Sequence, residues 1–307
     1  MSSTLAPSTI PVAQTSGGDS PWRLALSQFV ESRGAVVGVV VLCMLALAAI
    51  FAPFVTPQHP YDLQQLSVVN AHLKPGAQSL DGATFWLGTD DQGRDIYSGI
   101  VYGLRTSLMI GFVSTIFGLA IGIVFGLVAA YVGGWVEMLI MRLVDLQLSF
   151  PAMLIALVLL AILGSGLDKV MIALVAVQWA YYARTIRSAA LVETSKEYIE
   201  AAKCLGLSSI RVLYRHLLPN SLPPLIVVAT INVAHAISLE ATLSFLGVGA
   251  PITEPSLGRL IANGYDYMLS GKYWISFFPG LVLLVTIISI NLVGDRLRDV
   301  LNPRLKK

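Results

Sequence analysis

Glu193 to Asn220 reads ETSKEYIEAAKCLGLSSIRVLYRHLLPN, with seven charged residues in a chain that is only 12% charged overall. Thr194 followed three residues later by Glu197 has the spacing of a capping box, in which hydroxyl and carboxylate each cover an orphan backbone N–H, and predicts a helix start there. Tyr198, Ala201, Ala202 and Leu205 recur at helical spacing, an apolar stripe whose centre is small enough for something large to approach. Gly206 stops that helix in a left-handed conformation, and Ser208 or Ser209 caps the next one. The second helix carries Ile210, Leu213, Tyr214 and Leu217 on one face and Arg211 and Arg215 on another, and Pro219 is expected to end it. The stretch is too short and polar to cross a membrane and too patterned to be an irregular loop. Two interfacial helices resting on headgroups is one reading, but Glu193, Glu197 and Glu200 oppose an anionic surface. Docking against a partner protein is the reading that fits.

On either side of this segment the chain is greasy. It has 307 residues, 55% of them hydrophobic, and a mean hydropathy of +0.74, which places it among integral membrane proteins. The net charge of +2 and the lack of a basic run interleaved with aromatics argue against nucleic acid. Cys43 and Cys204 have neither CxxC spacing nor a histidine cluster nearby, so no disulfide and no metal site is expected. Six runs reach the ~20 apolar residues that a helical span needs: near 35–55, 106–131, 137–163, 168–191, 222–247 and 275–294. The predicted class is all-α, a polytopic protein of six transmembrane helices.

With the N-terminus inside, fourteen of the twenty Lys and Arg residues fall on the inner side, among them Arg184, Arg187, Lys196, Lys203, Arg211 and Arg215. The positive-inside rule therefore places both termini and the Glu193–Asn220 segment in the cytoplasm. The first apolar run begins at residue 35 and is longer than a signal-peptide core, so it is read as an uncleaved span. Residues 1–34 form a polar tail in which Trp22, Leu26, Phe29 and Val30 share one face of an interfacial helix. The rest, 35–307, is the membrane domain, with an outer cap loop near 56–101 and the polar segment at 193–220.

Gly118, Gly122 and Gly126, preceded by Gly111, clear one face of the second span for close approach of another helix, within this chain or from a partner. Asn232, His235 and Glu240 sit in the fifth span, where polar groups are costly unless they face protein or water. They are candidates for a translocation path; the other reading has Asn232 and His235 bonding a neighbouring helix and Glu240 near the outer end. Arg142 and Asp145, three apart, are expected to pair. In the outer loop, DDQGRD lacks the spacing of a calcium loop and reads as a turn.

The sequence holds no GxxxxGK[ST] loop or other nucleotide fingerprint, so any ATP-driven work falls to a partner. Glu200-Ala201-Ala202, Gly206 and Leu218-Pro219 resemble the EAA loop of ABC importer permeases. Leu87-Gly88-Thr89-Asp90-Asp91-Gln92-Gly93-Arg94-Asp95, Ser244 to Gly249 (SFLGVG) and Asn291 to Asp295 with Leu297-Arg298-Asp299 and Asn302-Pro303 resemble stretches of the dipeptide and oligopeptide branch of that family. His216 replaces an aliphatic residue of the general pattern, and Pro255-Ser256-Leu257-Gly258 departs from a Pro-x-Trp-Gly-like stretch. The resemblance implies a type I importer permease fold in a bacterial inner membrane. It implies Tyr198, Glu200, Ala201, Ala202, Gly206, Leu218 and Pro219 as the ATPase-coupling residues. It further implies a homologous permease, two cytoplasmic ATPase subunits or domains that bind the ATP and Mg, and an extracytoplasmic solute-binding protein contacted by Asp90, Asp91, Arg94 and Asp95. This chain itself would need no cofactor and catalyse no covalent step. The rival reading is a proton-coupled secondary transporter using His235 and Glu240.

Overall fold

The computed structural model describes residues 21–79 and 82–301; the first twenty residues of the expected tail lie outside that range, as does the Asn302-Pro303 pair. Twelve α-helices follow in order among the described residues: α1 Pro21–Val30, α2 Arg33–Ile50, α3 Ala52–Val55, α4 Ile96–Val132, α5 Gly134–Leu148, α6 Ala152–Leu163, α7 Leu167–Thr194, α8 Glu197–Cys204, α9 Ser209–Val212, α10 Leu218–Phe245, α11 Leu257–Tyr265 and α12 Trp274–Leu301. The one sheet among the described residues is a two-stranded hairpin, β1 Ala77–Gln78 against β2 Thr84–Phe85, inside the loop between α3 and α4.

The spine of the bundle is the pair α4 and α7, and glycines set how closely they lie. A Cβ on Gly122 would stand 2.4 Å from the Tyr182 Cβ, and one on Gly126 only 2.1 Å from the Ile186 Cγ2. The glycine stripe of the second span is thus used up within this chain. Gly111, one step further round, admits Ile237 of α10. α10 lies across α4 and α7, and α12 closes the other side against α10, α2 and α11. The outward faces carry apolar side chains such as Val40, Met44, Phe117, Leu143 and Leu284, the surface a hydrocarbon solvent requires.

Three expectations change here. Four helical stretches are long and apolar enough to cross a membrane, Arg33–Ile50, Ile96–Val132, Ser209–Phe245 and Trp274–Leu301, with α5 and α6 making a fifth as a pair bent by 92°. The predicted third span is therefore a broken one: Pro151 has no N–H to continue the ladder, so Ser149 closes α5 and the chain turns before α6. The predicted fourth span is a helix, α7, but it carries Gln178, Arg184 and Arg187 and is too polar to qualify by composition. The six-span count thus rests on α7 being sheltered by its neighbours, since Ala180, Tyr182, Ala183 and Ile186 are fully buried.

Pro219 does not end a helix. The chain stays helical from Ser209 to Phe245, widening into a π turn over Leu213–Leu217. A π turn shifts the carbonyls out of register with the missing N–H of Pro219 and relieves its ring clash with the preceding turn, while Pro223 and Pro224 follow within the first two turns of α10. Asp145 pairs with Arg184 of α7 across 2.5 Å rather than with Arg142, because α5 lies alongside α7 and presents Asp145 to it. Arg187 and Glu137 make a second, half-buried bridge along the same seam.

Candidate coupling loop and transport path

α7 ends where the capping box was expected to begin a helix. The Thr194 hydroxyl folds back to donate to the Leu191 carbonyl at 2.9 Å, which keeps Thr194 inside α7, and α8 starts three residues later. The hairpin is tied to the base of α10 by a short relay. Lys196 and the Tyr198 hydroxyl both donate to the Glu193 carboxylate, at 2.6 and 2.7 Å, and the Asn220 amide donates to the Tyr198 oxygen at 3.2 Å. Desolvation, reinforced by the bond to Glu193, pushes the Tyr198 hydroxyl up to about 12, so it stays a donor at neutral pH.

Inside the hairpin, Ile199, Ala202 and Val212 form a small core with Tyr131 and Leu207 against it. Ala202 therefore faces inward, not onto the docking stripe predicted for it. Tyr198, Glu200, Ala201 and Gly206 are exposed, and the tip presents Leu205, Ile210 and Tyr214, each at least three-quarters exposed. Gly206 has φ +73° with open space around its missing side chain, so conformation alone calls for glycine. Leu218 is half-buried and Pro219 exposed, both in the first turn of α10; His216 sits half-buried in the π turn, its carbonyl accepting from Asn220 at 2.7 Å.

The three polar residues of the fifth span separate. Asn232 is buried and hydrogen-bonds Tyr182, whose hydroxyl donates to Gln178 Oε1 at 3.2 Å, where the Thr115 hydroxyl also donates. This is a polar seam between α4, α7 and α10, not a surface. Glu240 is sealed at 0% exposure. Its carboxylate accepts from Ser107 of α4 at 2.9 Å, Ser244 of α10 at 2.8 Å and Ser256, the N-cap of α11, at 2.7 Å. Of the three, His235 alone is exposed, and with Ser238 and Thr242 it forms a polar stripe down α10 at helical spacing.

The outer loop folds on its own acidic motif. Asp90 accepts from the backbone N–H of Gln92 and Arg94 at 2.9 and 2.8 Å, and desolvation raises its carboxyl to about 6. Asp95 caps α4, accepting from the Ser98 N–H and hydroxyl at 2.9 and 2.6 Å. The Arg94 guanidinium lies over the Tyr61 ring at 4.8 Å. Asp90, Arg94 and Asp95 are all buried, and among the four residues expected to meet a binding protein only Asp91 is partly exposed. The sequence reading missed Ser107 and Ser256 as partners of Glu240; only the N-cap character of Ser256 was there to be read.

With this geometry in place, comparison with known proteins is direct. Residues 122–307 match the family described as binding-protein-dependent transport system inner membrane component, and residues 20–75 match the N-terminal TM domain of oligopeptide transport permease C. A dipeptide transport system permease protein of Alkalihalophilus pseudofirmus is 38% identical, covering 94% of this chain and 91% of its own. A putative peptide transport system permease protein of Brucella suis is 39% identical over 94% of both chains. Among solved structures, an inward-facing conformation of the MetNI methionine ABC transporter shares the fold at a TM-score of 0.54 and 24% identity, covering 66% of this chain and 96% of that one. The chain belongs to the family of binding-protein-dependent inner membrane transport components. It is a permease subunit of an ABC transporter, a translocation component whose work is coupled to ATP hydrolysis by partner ATPases.

Proposed function

We propose that this chain is one of two permeases of a peptide-type ABC importer. The α8–α9 hairpin is docked in a cytoplasmic ATPase subunit, and the polar stripe of α10 faces the pathway shared with a homologous permease. The observation that carries this reading is a division of labour along one helix. α10 is continuous with the exposed apolar tip at Leu205, Ile210 and Tyr214 at one end, and bears His235, Ser238 and Thr242 on its free face towards the other. Its relatives' names supply the cargo class, small peptides.

The described residues at both ends of the chain lie at the hairpin end of the bundle, where Lys and Arg concentrate, which supports a cytoplasmic location for both termini. The folded outer loop then faces an extracytoplasmic binding protein, with Asp91 its one accessible acidic residue of the motif. Nucleotide and magnesium belong to the two ATPase partners, and this chain binds no cofactor. The sealed position of Glu240 counts against a proton-coupled mechanism, since a carryable proton needs access from each side in turn.

The test is uptake into liposomes holding the complete complex with its binding protein. ATP-dependent accumulation of a small peptide is expected, and uptake that persists without ATPase subunits would refute the proposal.

A further inference from the structure

Beyond the path itself, the outer end of α10 opens into a cavity of about 680 Å³ that none of the sequence motifs foretold. That size falls within the range of roughly 300–1,000 Å³ typical of small-molecule sites. Its lining combines Phe245 and Gly247 of the SFLGVG turn with Arg259, Asn263, Tyr265 and Asp266 of α11 and its C-cap. The turn is held firmly: Val248 and Gly249 N–H both donate to the Leu243 carbonyl at 3.1 Å, and Ala250 N–H donates to the Ser244 hydroxyl at 3.0 Å.

Two charges of opposite sign share this cavity without meeting. Among the described residues neither Arg259 nor Asp266 forms an ion pair, and the Arg259 Nε is buried with no hydrogen-bond partner. The guanidinium lies beside Gly247, where a Cβ would stand 3.8 Å from Nη1. Its backbone is pinned three residues from Ser256, the same hydroxyl that donates to Glu240. With no carboxylate of the fold paired to it, the guanidinium charge lining this cavity is left for a ligand to complete.

We propose that this cavity is an acceptor site for the cargo at the mouth of the path, built for a small zwitterionic peptide. The peptide's free carboxylate takes the Arg259 guanidinium, a match of planar fork to carboxylate, and its protonated amine takes Asp266. The Asn263 amide reaches the peptide backbone, and Tyr265 with Phe245, edge to face at 5.9 Å, receives a side chain. The site lies at the top of the stripe running through Thr242 and Ser238 to His235, so cargo released there enters the path directly. This rests on the permease reading above.

The experiment uses the whole complex in liposomes, with dialanine and its C-terminal amide each delivered on saturated binding protein. Arg259→Gln is expected to slow dialanine uptake about tenfold or more, the scale of one lost charge-assisted contact, while changing amide uptake less than about twofold. Arg259→Lys, which keeps the charge but not the fork, should restore only part of the loss, and gel filtration checks assembly of each variant. Equal slowing of both cargoes, or of neither, overturns the proposal. Equal slowing with weakened capture of the binding protein would make the cavity a docking surface instead. A wild-type complex that takes up neither peptide with ATP would refute the importer reading, a different outcome from a wild-type complex that works but ignores Arg259.

Discussion

Glu240 offers the sharpest perturbation, because its carboxylate joins three helices and touches no solvent. Glu240→Ala removes acceptors from hydroxyls at 2.7, 2.8 and 2.9 Å. Interhelical hydrogen bonds within membranes average about 0.6 kcal/mol, and bonds to charged groups begin near ~1.5 kcal/mol. Three of them put the loss at about 2–5 kcal/mol before any cavity term. Glu240→Gln is different in kind. Its amide oxygen still accepts from Ser244 and Ser256, and its NH₂ turns to Ser107, whose hydroxyl rotates to accept; the expected cost is below about 1 kcal/mol. Thermal unfolding of the purified complex, run beside ATP-driven uptake, separates the two variants. The Ala variant should unfold well below wild type, and the Gln variant should be nearly as stable and transport normally. A Gln variant that folds but does not transport would mean that the carboxylate acts chemically, and an Ala variant as stable as wild type would mean that the three hydroxyls hold nothing.

Other outcomes follow from single contacts. Gly126→Val places a Cβ 2.1 Å from Ile186 and should cost about 1–3 kcal/mol by prying α4 from α7, whereas Gly280→Ala on α12, with nothing within 4 Å, should be neutral or slightly stabilising in the same melt. Leu205→Asp and Ile210→Asp, at exposed positions, should abolish ATP-driven uptake without lowering stability; Ala202→Asp should destabilise the hairpin itself, and wild-type uptake in the tip variants would remove the hairpin as the docking element. Asp90 has a carboxyl raised to about 6 in the fold against an ordinary value of 3.8, so the folded loop holds a proton that the unfolded chain releases. Its contribution to loop stability is full below pH 4 and is lost as pH rises through 6. Hydrogen exchange of residues 88–95 should quicken across that interval, and Asp90→Asn should flatten the dependence.

The hairpin, its glycine stop and the glycine face of α4 were legible because each depends on residues a few positions apart. The same local reading misplaced Ala202. Periodicity shows which residues share a face, and whether that face looks outward depends on Val212 folding back onto it. Pro219 was read as a terminator by the usual cost of proline in a helix, a cost the π turn offsets. Pro151 was the available sign of the broken third span, masked by the apolar residues on both sides. Glu240 was beyond sequence reasoning for a plainer cause: Ser107 lies 133 residues away, and Ser256 across a turn. Burial of Asp90, Arg94 and Asp95 likewise depends on Tyr61 and Gln58, from a part of the loop with no pattern of its own.

The unbroken rod from Ser209 to Phe245 has a mechanical meaning. At about 1.5 Å per residue, its 37 residues reach some 55 Å, longer than the ~30 Å hydrocarbon core of a bilayer. On the coupling proposed above, a push at the hairpin reaches Glu240 along one continuous helix, with the π turn and the prolines at its base lying between the two. Compliance is concentrated low, in the π turn and the three prolines beside it, where backbone bonds are fewest. On that proposal, bending of the strut falls to the few residues near His216 rather than to the whole bundle.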